Sequence, residues 1–199
     1  MNAVKSFSIS EYLKLEIDAL DRHEYRNGEI FKMANNTFAH SIISTNISTI
    51  FGNASSNHSK DYYTLGCQIK IFIEQVNYFV YPDVVLIWDK VNLHSLTDHA
   101  ITNPNLIIEI LSEETEAYDR GNKFHFYSTL PSIKEYILVD QEQAIVDVFV
   151  KEKTNLWKMT TIQGLDKSFP IHTLGFEIKM ADLYKKVPNL KNPQFNLDL

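Results

Sequence analysis

Apolar positions along the chain switch between two periods, and the switches divide it into helices and strands. Ile9, Tyr12, Leu13, Ile17 and Leu20 recur at helical spacing. Ser8 followed by Glu11 has the spacing of a capping box, in which each residue's side chain satisfies the other's backbone N–H, so a helix is predicted over roughly 9–20. EYRNGEIFKM then reads as two short strands around Asn27-Gly28, a dipeptide that tolerates the positive φ of a tight hairpin turn. Beyond Asn35-Asn36-Thr37, Ile43, Ile47, Ile50 and Phe51 predict a second helix that packs on a sheet and stops at Gly52-Asn53.

YYTLGCQIKIFI and FVYPDVVLIW are rich in aromatic and β-branched residues. The second leaves no solvent face and is predicted to be one central strand. A polar connection leads to NPNLIIEILS, an apolar run interrupted by one carboxylate, Glu109. A helix is predicted over about 113–129, followed by strands in EYILVD and IVDVFV. Trp157 and FPIHTLGFEI suggest late edge structure, and MADLYKKV a short terminal helix. This pattern predicts an α+β fold with a mixed sheet, in a single domain over 1–187, and a poorly ordered Pro/Asn-rich tail over 188–199.

Composition narrows the setting. The 199 residues are 44% hydrophobic and 12% aromatic, enough for a sizeable core without disulfides or structural metals. One cysteine, Cys67, cannot close an internal disulfide and is expected as a small core residue. The beginning of the chain lacks the apolar core of a signal peptide, and no run approaches the ~18 apolar residues of a membrane span. A soluble protein of the reducing cytoplasm is therefore expected. The formal charge of −6 argues against a broadly basic nucleic-acid binder. It argues less against an enzyme whose carboxylates gather a divalent cation, because the bound ion reverses the local sign.

Asp83 and Glu109 stand within two of the most apolar segments, and a buried carboxylate costs several kcal/mol unless something compensates. A shared Mg2+ or Mn2+ would do so, since these ions need one or two carboxylates and complete their shells with water and phosphate oxygens. The competing reading has each acid at a strand end facing water, or paired with a nearby Lys or Arg. Asp119, Lys123 and Tyr127 share one helical face, where Asp119 can orient Lys123 over the tyrosine. An ordinary surface ion pair is the plainer reading of that spacing. If the lysine head serves chemistry while its stem packs, Lys123→Met is expected to leave folding little changed.

The runs YPDVVLIW, PNLIIEILSEETEAYDRGNKFHFY and LPSIKEYILVD, with EYRNGEI upstream, resemble the Uma-type restriction endonuclease family of the PD-(D/E)XK nuclease superfamily, over roughly residues 10–186. The resemblance implies a restriction-endonuclease-like mixed β-sheet flanked by helices, with an additional N-terminal helix and hairpin. It implies Asp83 as the motif aspartate and Glu109 as the following acid, both metal-binding. The superfamily lysine two residues after the acid is Leu111 here, so Lys123 takes its place by migration onto the next helix. The resemblance also offers Glu24 as an additional acid near the metal, where the residue alone reads as a solvated strand position.

The function implied is Mg2+-dependent hydrolysis of DNA phosphodiester bonds, with a homodimer suited to cutting two strands. The alternatives are a non-catalytic nucleic-acid-binding or regulatory module that kept the fold, and hydrolysis of RNA or another phosphoester. His40 ranks below these residues, as a group near a helix start or near substrate. His94, His99, His125 and His172 form no metal motif.

Overall fold

The computed structural model describes residues 6–55, 61–88, 90–191 and 193. Helix α1 (Ile9–Asp18) starts with the expected capping box, Ser8 Oγ accepting from Glu11 N–H while the Glu11 carboxylate accepts from Ser8 N–H. The hairpin of β1 (His23–Arg26) and β2 (Glu29–Lys32) turns through Asn27 and Gly28, both at positive φ (48° and 97°), as a primed turn requires. Helix α2 (Phe38–Ser55) starts where Thr37 Oγ1 accepts from His40 N–H, and runs past Gly52-Asn53.

Next come β3 (Tyr62–Gly66), β4 (Lys70–Ile73), β5 (Tyr78–Val80) and β6 (Val84–Trp88). The segment read from sequence as a polar connection forms β7 (Leu93–His94) and β8 (Thr97–Ile101) before β9 (Leu106–Leu111). Helix α3 joins Glu116–Tyr118, a π-helical turn over Asp119–Lys123, and Phe124–Ser128. Strands β10 (Glu135–Asp140), β11 (Ile145–Lys153) and β12 (Leu156–Gln163) follow. The β13 (Ser168–Ile171) and β14 (Phe176–Lys179) hairpin leads into α4 (Met180–Leu183).

Two six-stranded sheets result, with orders β2-β1-β5-β4-β8-β7 and β12-β11-β10-β9-β6-β3. Each mixes one parallel contact, β4 with β8 or β9 with β10, among antiparallel ones. The sequence expectation of one central strand over FVYPDVVLIW is corrected: β5 and β6 belong to different sheets, and the chain passes between them at Tyr81-Pro82-Asp83. Proline donates no ladder hydrogen bond, which explains why pairing breaks there. YYTLGCQIKIFI is divided in the same way, β3 lying in one sheet and β4 in the other. Cys67 sits half-buried in that crossing rather than in the core.

The second sheet is covered on both faces, which is why VVLIW and LIIEIL read as almost unbroken apolar runs. On one face Ile43, Ile47 and Phe51 of α2 join Val84, Leu86, Ile108 and Ile110, together with β13, β14 and α4. On the other, Val85, Ile87, Ile107 and Leu111 meet Ile71, Ile73, Tyr78 and Val80 of the first sheet and Tyr127 of α3. A smaller cluster of Tyr12, Tyr25 and Phe79 seats α1 on the far side of the first sheet. Of the expected tail, residues 192 and 194–199 lie outside the described residues, while Lys191 pairs through its backbone with Gln143 and Glu142. No helix among the described residues is long and apolar enough to cross a membrane.

Ile47 is 1% exposed at the centre of the α2 contact. Ile47→Ala should lower the unfolding free energy by about 2–5 kcal/mol, seen as a lower urea midpoint at unchanged slope.

Candidate active site

Strands β6 and β9 are antiparallel with Val84 opposite Ile108, so one further step of register sets Asp83 against Glu109. Strand alternation gives Glu109 the face of Ile107 and Leu111, toward α3, while Asp83, just before β6, lies at the end of the strand pair, where His40 of α2 also reaches it. Asp83 N–H donates to Glu109 Oε2 (3.3 Å). Asp83 Oδ2 accepts from Ile110 N–H (2.8 Å) and faces His40 Nε2 at 3.0 Å. A carboxylate can only accept, so His40 Nε2 carries the proton in that contact. His40 Nδ1 is buried without a hydrogen-bond partner among the described residues.

Helix α3 supplies the charge that offsets the buried acid. Lys123 Nζ lies 2.9 Å from Glu109 Oε1 and 3.3 Å from Asp119 Oδ1, and the side chains of all three are at most 8% exposed. The plain surface-pair reading of Asp119 and Lys123 is therefore corrected. Tyr127 OH donates to Glu109 Oε1 (3.0 Å), and Tyr136 OH donates to the Asp119 carbonyl (3.0 Å). Arg120 ties the same turn to β11 through Asp147, while its Nε donates to Glu116. Leu111 lies in the apolar cluster on the face of Glu109, and Lys123 makes the contact with the acid.

Glu24 reaches the same cavity from β1, where Tyr78 OH donates to Oε2 and Tyr81 N–H donates to Oε1 (3.3 Å). Tyr78 and Tyr118 share a hydroxyl–hydroxyl hydrogen bond. Burial and the nearby Glu24 push the Tyr118 hydroxyl up to about 12, so this chain of phenols stays protonated. The cavity holds about 310 Å³, and Glu24, His40, Asp83, Glu109, Asp119 and Lys123 are among its walls.

Burial raises the Glu109 carboxyl well above its ordinary range, and Asp83 and Asp119 raise it further against the pull of Lys123. Burial pulls the Lys123 ammonium down, but Glu109, Asp119 and Glu24 outweigh that and hold it well above its ordinary value. The site thus keeps its cation protonated and still carries a surplus of carboxylate. A carboxylate offers about four lone-pair directions. Asp83 Oδ1 receives no hydrogen bond from the described residues, and Glu109 Oε2 receives one weak one. Those two oxygens suit a hard divalent ion that needs one or two carboxylates and otherwise keeps water. No group of three or more His, Cys, Asp or Glu side chains among the described residues is arranged to hold a metal; the two carboxylates that could offer oxygens are Asp83 and Glu109.

Sequence reasoning ranked His40 low and missed Tyr78, Tyr81 and Tyr118. His40 carried one usable signal, its place on the same helical face as Ile43 and Ile47. The tyrosines carried none, because Tyr78 and Tyr81 meet Glu24 across more than 50 residues of chain and Tyr118 meets Tyr78 across 40.

A mixed sheet bearing a strand-end aspartate, an in-strand glutamate and a helix lysine is a nuclease-like arrangement. The sequence matches the Uma2 family, described as "Putative restriction endonuclease", over residues 9–181, and the chain belongs to that family. It is 32% identical to the uncharacterized protein slr1290 of Synechocystis over 178 residues, covering 89% of this chain and 91% of the relative. It is 29% identical to the uncharacterized protein sll1609 of the same organism over 160 residues, covering 80% and 89%. The fold is similar to the crystal structure of a "putative nuclease belonging to DUF820" from Anabaena variabilis, with a TM-score of 0.70 at 17% identity over 89% of this chain and 97% of the other.

Lys123→Met removes the ammonium between Glu109 and Asp119, and breaking a buried pair costs about 3–5 kcal/mol. The sequence expectation of unchanged folding is thereby revised to a clear loss. A carboxyl raised in the folded state favours folding at low pH and loses that advantage as pH rises through its folded value. The deficit of Lys123→Met should therefore be small near about pH 4 and grow toward about pH 8. Urea unfolding with EDTA present checks this, and a deficit that shrinks with rising pH would contradict it.

Proposed function

We propose that the protein is a Mg2+-dependent endonuclease that hydrolyses DNA phosphodiester bonds, with Mn2+ able to replace Mg2+. The observation that carries this reading is the meeting of Asp83, Glu109 and Lys123 in one cavity, although they come from two strands and a helix. Asp83 and Glu109 would hold the ion through the oxygens their protein neighbours leave open. When bound, the ion supplies Lewis-acid polarisation of a phosphoryl oxygen and lowers the pKa of a water.

The chain's own groups do the rest. Ile110 N–H and His40 fix the Asp83 carboxylate, as outer-shell donors orient ligands. Lys123, held protonated by its acids, offsets negative charge developing on the phosphate. Glu24 adds a further acid to the cavity and is linked through Tyr78 to Tyr118, which also lines it. A symmetric homodimer in the cytoplasm would present two such sites to the two strands of a duplex.

A second reading, a nucleic-acid-binding module without catalysis, is favoured by one observation: the Lys123 ammonium already has two protein carboxylates as partners. Metal titration separates the two readings. Mn2+ binding followed by electron paramagnetic resonance should be strong in the wild type and weak in Asp83→Ala. Single-turnover cleavage of DNA and RNA oligonucleotides should fall more than about 100-fold in Asp83→Ala. Absence of both binding and cleavage in the wild type would leave the module reading. His40→Ala should weaken Mn2+ binding by about 10–100-fold, with retained far-ultraviolet circular dichroism showing that the fold survives.

A further inference from the structure

Beside the carboxylate cavity lies a second one of about 860 Å³, between α1, the start of β4 and the β7–β8 hairpin, with Tyr81 in the wall of both. Lys70 lines it. This lysine is 6% exposed, yet its ammonium makes no hydrogen bond or ion pair with the described residues and lies 5.1 Å from the centroid of the Tyr81 ring. Arg22 approaches the same ring at 5.6 Å, while one of its nitrogens donates to the Cys67 carbonyl.

The carboxylates in this wall have other partners. Glu16 accepts from Tyr81 OH (2.7 Å) and from His23 N–H (3.1 Å) and contacts the His23 ring, Asp21 pairs with Lys32 at 2.6 Å, and Asp98 faces His99 at 3.4 Å. Burial pulls the Lys70 ammonium below its ordinary value, and the field of Glu16 restores part of that loss. The Lys70 stem is packed away while its ammonium, paired with none of the described carboxylates, stands in a cavity wall with a second cation and an aromatic face, a set of donors suited to an anion.

We propose that Lys70 and Arg22 form a phosphate-binding subsite that holds a backbone phosphate of a nucleic-acid strand next to the one at the carboxylate pair, with Tyr81 as the wall between them. This rests on the reading of the neighbouring cavity as a nucleic-acid site. The overall charge of −6 makes such a local cationic contact more consequential, since the rest of the surface supplies little attraction for phosphate. The subsite also gives direction to the strand, because it lies to one side of the acids, under α1.

The test is fluorescence anisotropy of labelled single- and double-stranded DNA oligonucleotides across a KCl series, with EDTA present so that binding is read without cleavage. Lys70→Met keeps the stem and removes the charge. It should weaken binding about tenfold at low salt and reduce the slope of log K against log salt by about 0.7–0.9. Its melting temperature should stay close to that of the wild type, because the stem is kept and the charge removed makes no ion pair with the described residues. Inorganic phosphate should compete only at far higher concentration than the oligonucleotide. Unchanged affinity and slope in Lys70→Met would overturn the subsite, as would a wild type that binds no oligonucleotide, or one that binds free phosphate as tightly as DNA. Cleavage in Mg2+ is scored separately: a wild type that binds through Lys70 but does not cut sinks the nuclease reading and leaves the subsite standing.

Discussion

The ion cluster of Glu109, Lys123 and Asp119 is the constraint that the surrounding structure serves. Glu109 sits in the middle of a strand whose other residues are all buried and apolar, and placing one charge there is tolerable only if a cation is delivered with good geometry. Lys123 is delivered by a helix whose middle turn is widened, a local irregularity that recurs at functional sites because it re-aims side chains. The turn is fixed in its turn by Tyr136 on the Asp119 carbonyl and by Arg120 reaching Asp147 on β11. Few of these contacts make sense as stability devices alone, since an apolar residue at 109 would need none of them. They are consistent with a fold that maintains a strained electrostatic arrangement for use.

Much of this was legible in the sequence where the signal is local. The capping box, the Asn27-Gly28 turn and the face of α2 follow from spacings of three and four residues or from a dipeptide, and the structure has them all. The interruptions at Asp83 and Glu109 were visible because a carboxylate in an apolar run is physically expensive. Assignments failed where the deciding partner is distant in sequence. FVYPDVVLIW looks like one strand, because periodicity cannot tell which sheet an apolar segment joins, and Pro82 was the clue that it divides. The β7–β8 hairpin was too polar to be distinguished from a loop, being half exposed at the edge of its sheet. Burial of the Asp119–Lys123 pair was equally invisible, since spacing places two side chains together but does not say what lies over them.

The match to the Anabaena structure at 17% identity shows how little of the sequence the backbone needs in order to keep this arrangement of sheets. Identity is low but the constraints on it are few: apolar runs for a sheet covered on both faces, and a turn between the two sheets. The Leu111 position illustrates the freedom that remains. A side chain two residues beyond Glu109 points to the same face of the strand, the face that meets Tyr127 of α3. Here the strand position is filled with hydrocarbon and the helix provides the ammonium.

Two of the crossings of the chain between the sheets have a mechanical consequence. Residues 67–69 carry the chain from the second sheet into the first, and Tyr81-Pro82-Asp83 brings it back. The strands β4 and β5 are thus stitched at both ends to β3 and β6, which flank them in sequence but pair in the other layer. Neither layer can peel away without pulling on the other, and the second stitch includes Asp83 itself. Separating the layers therefore pulls on the turn that carries Asp83, so the carboxylate pair feels the docking of the two sheets although both acids belong to the second.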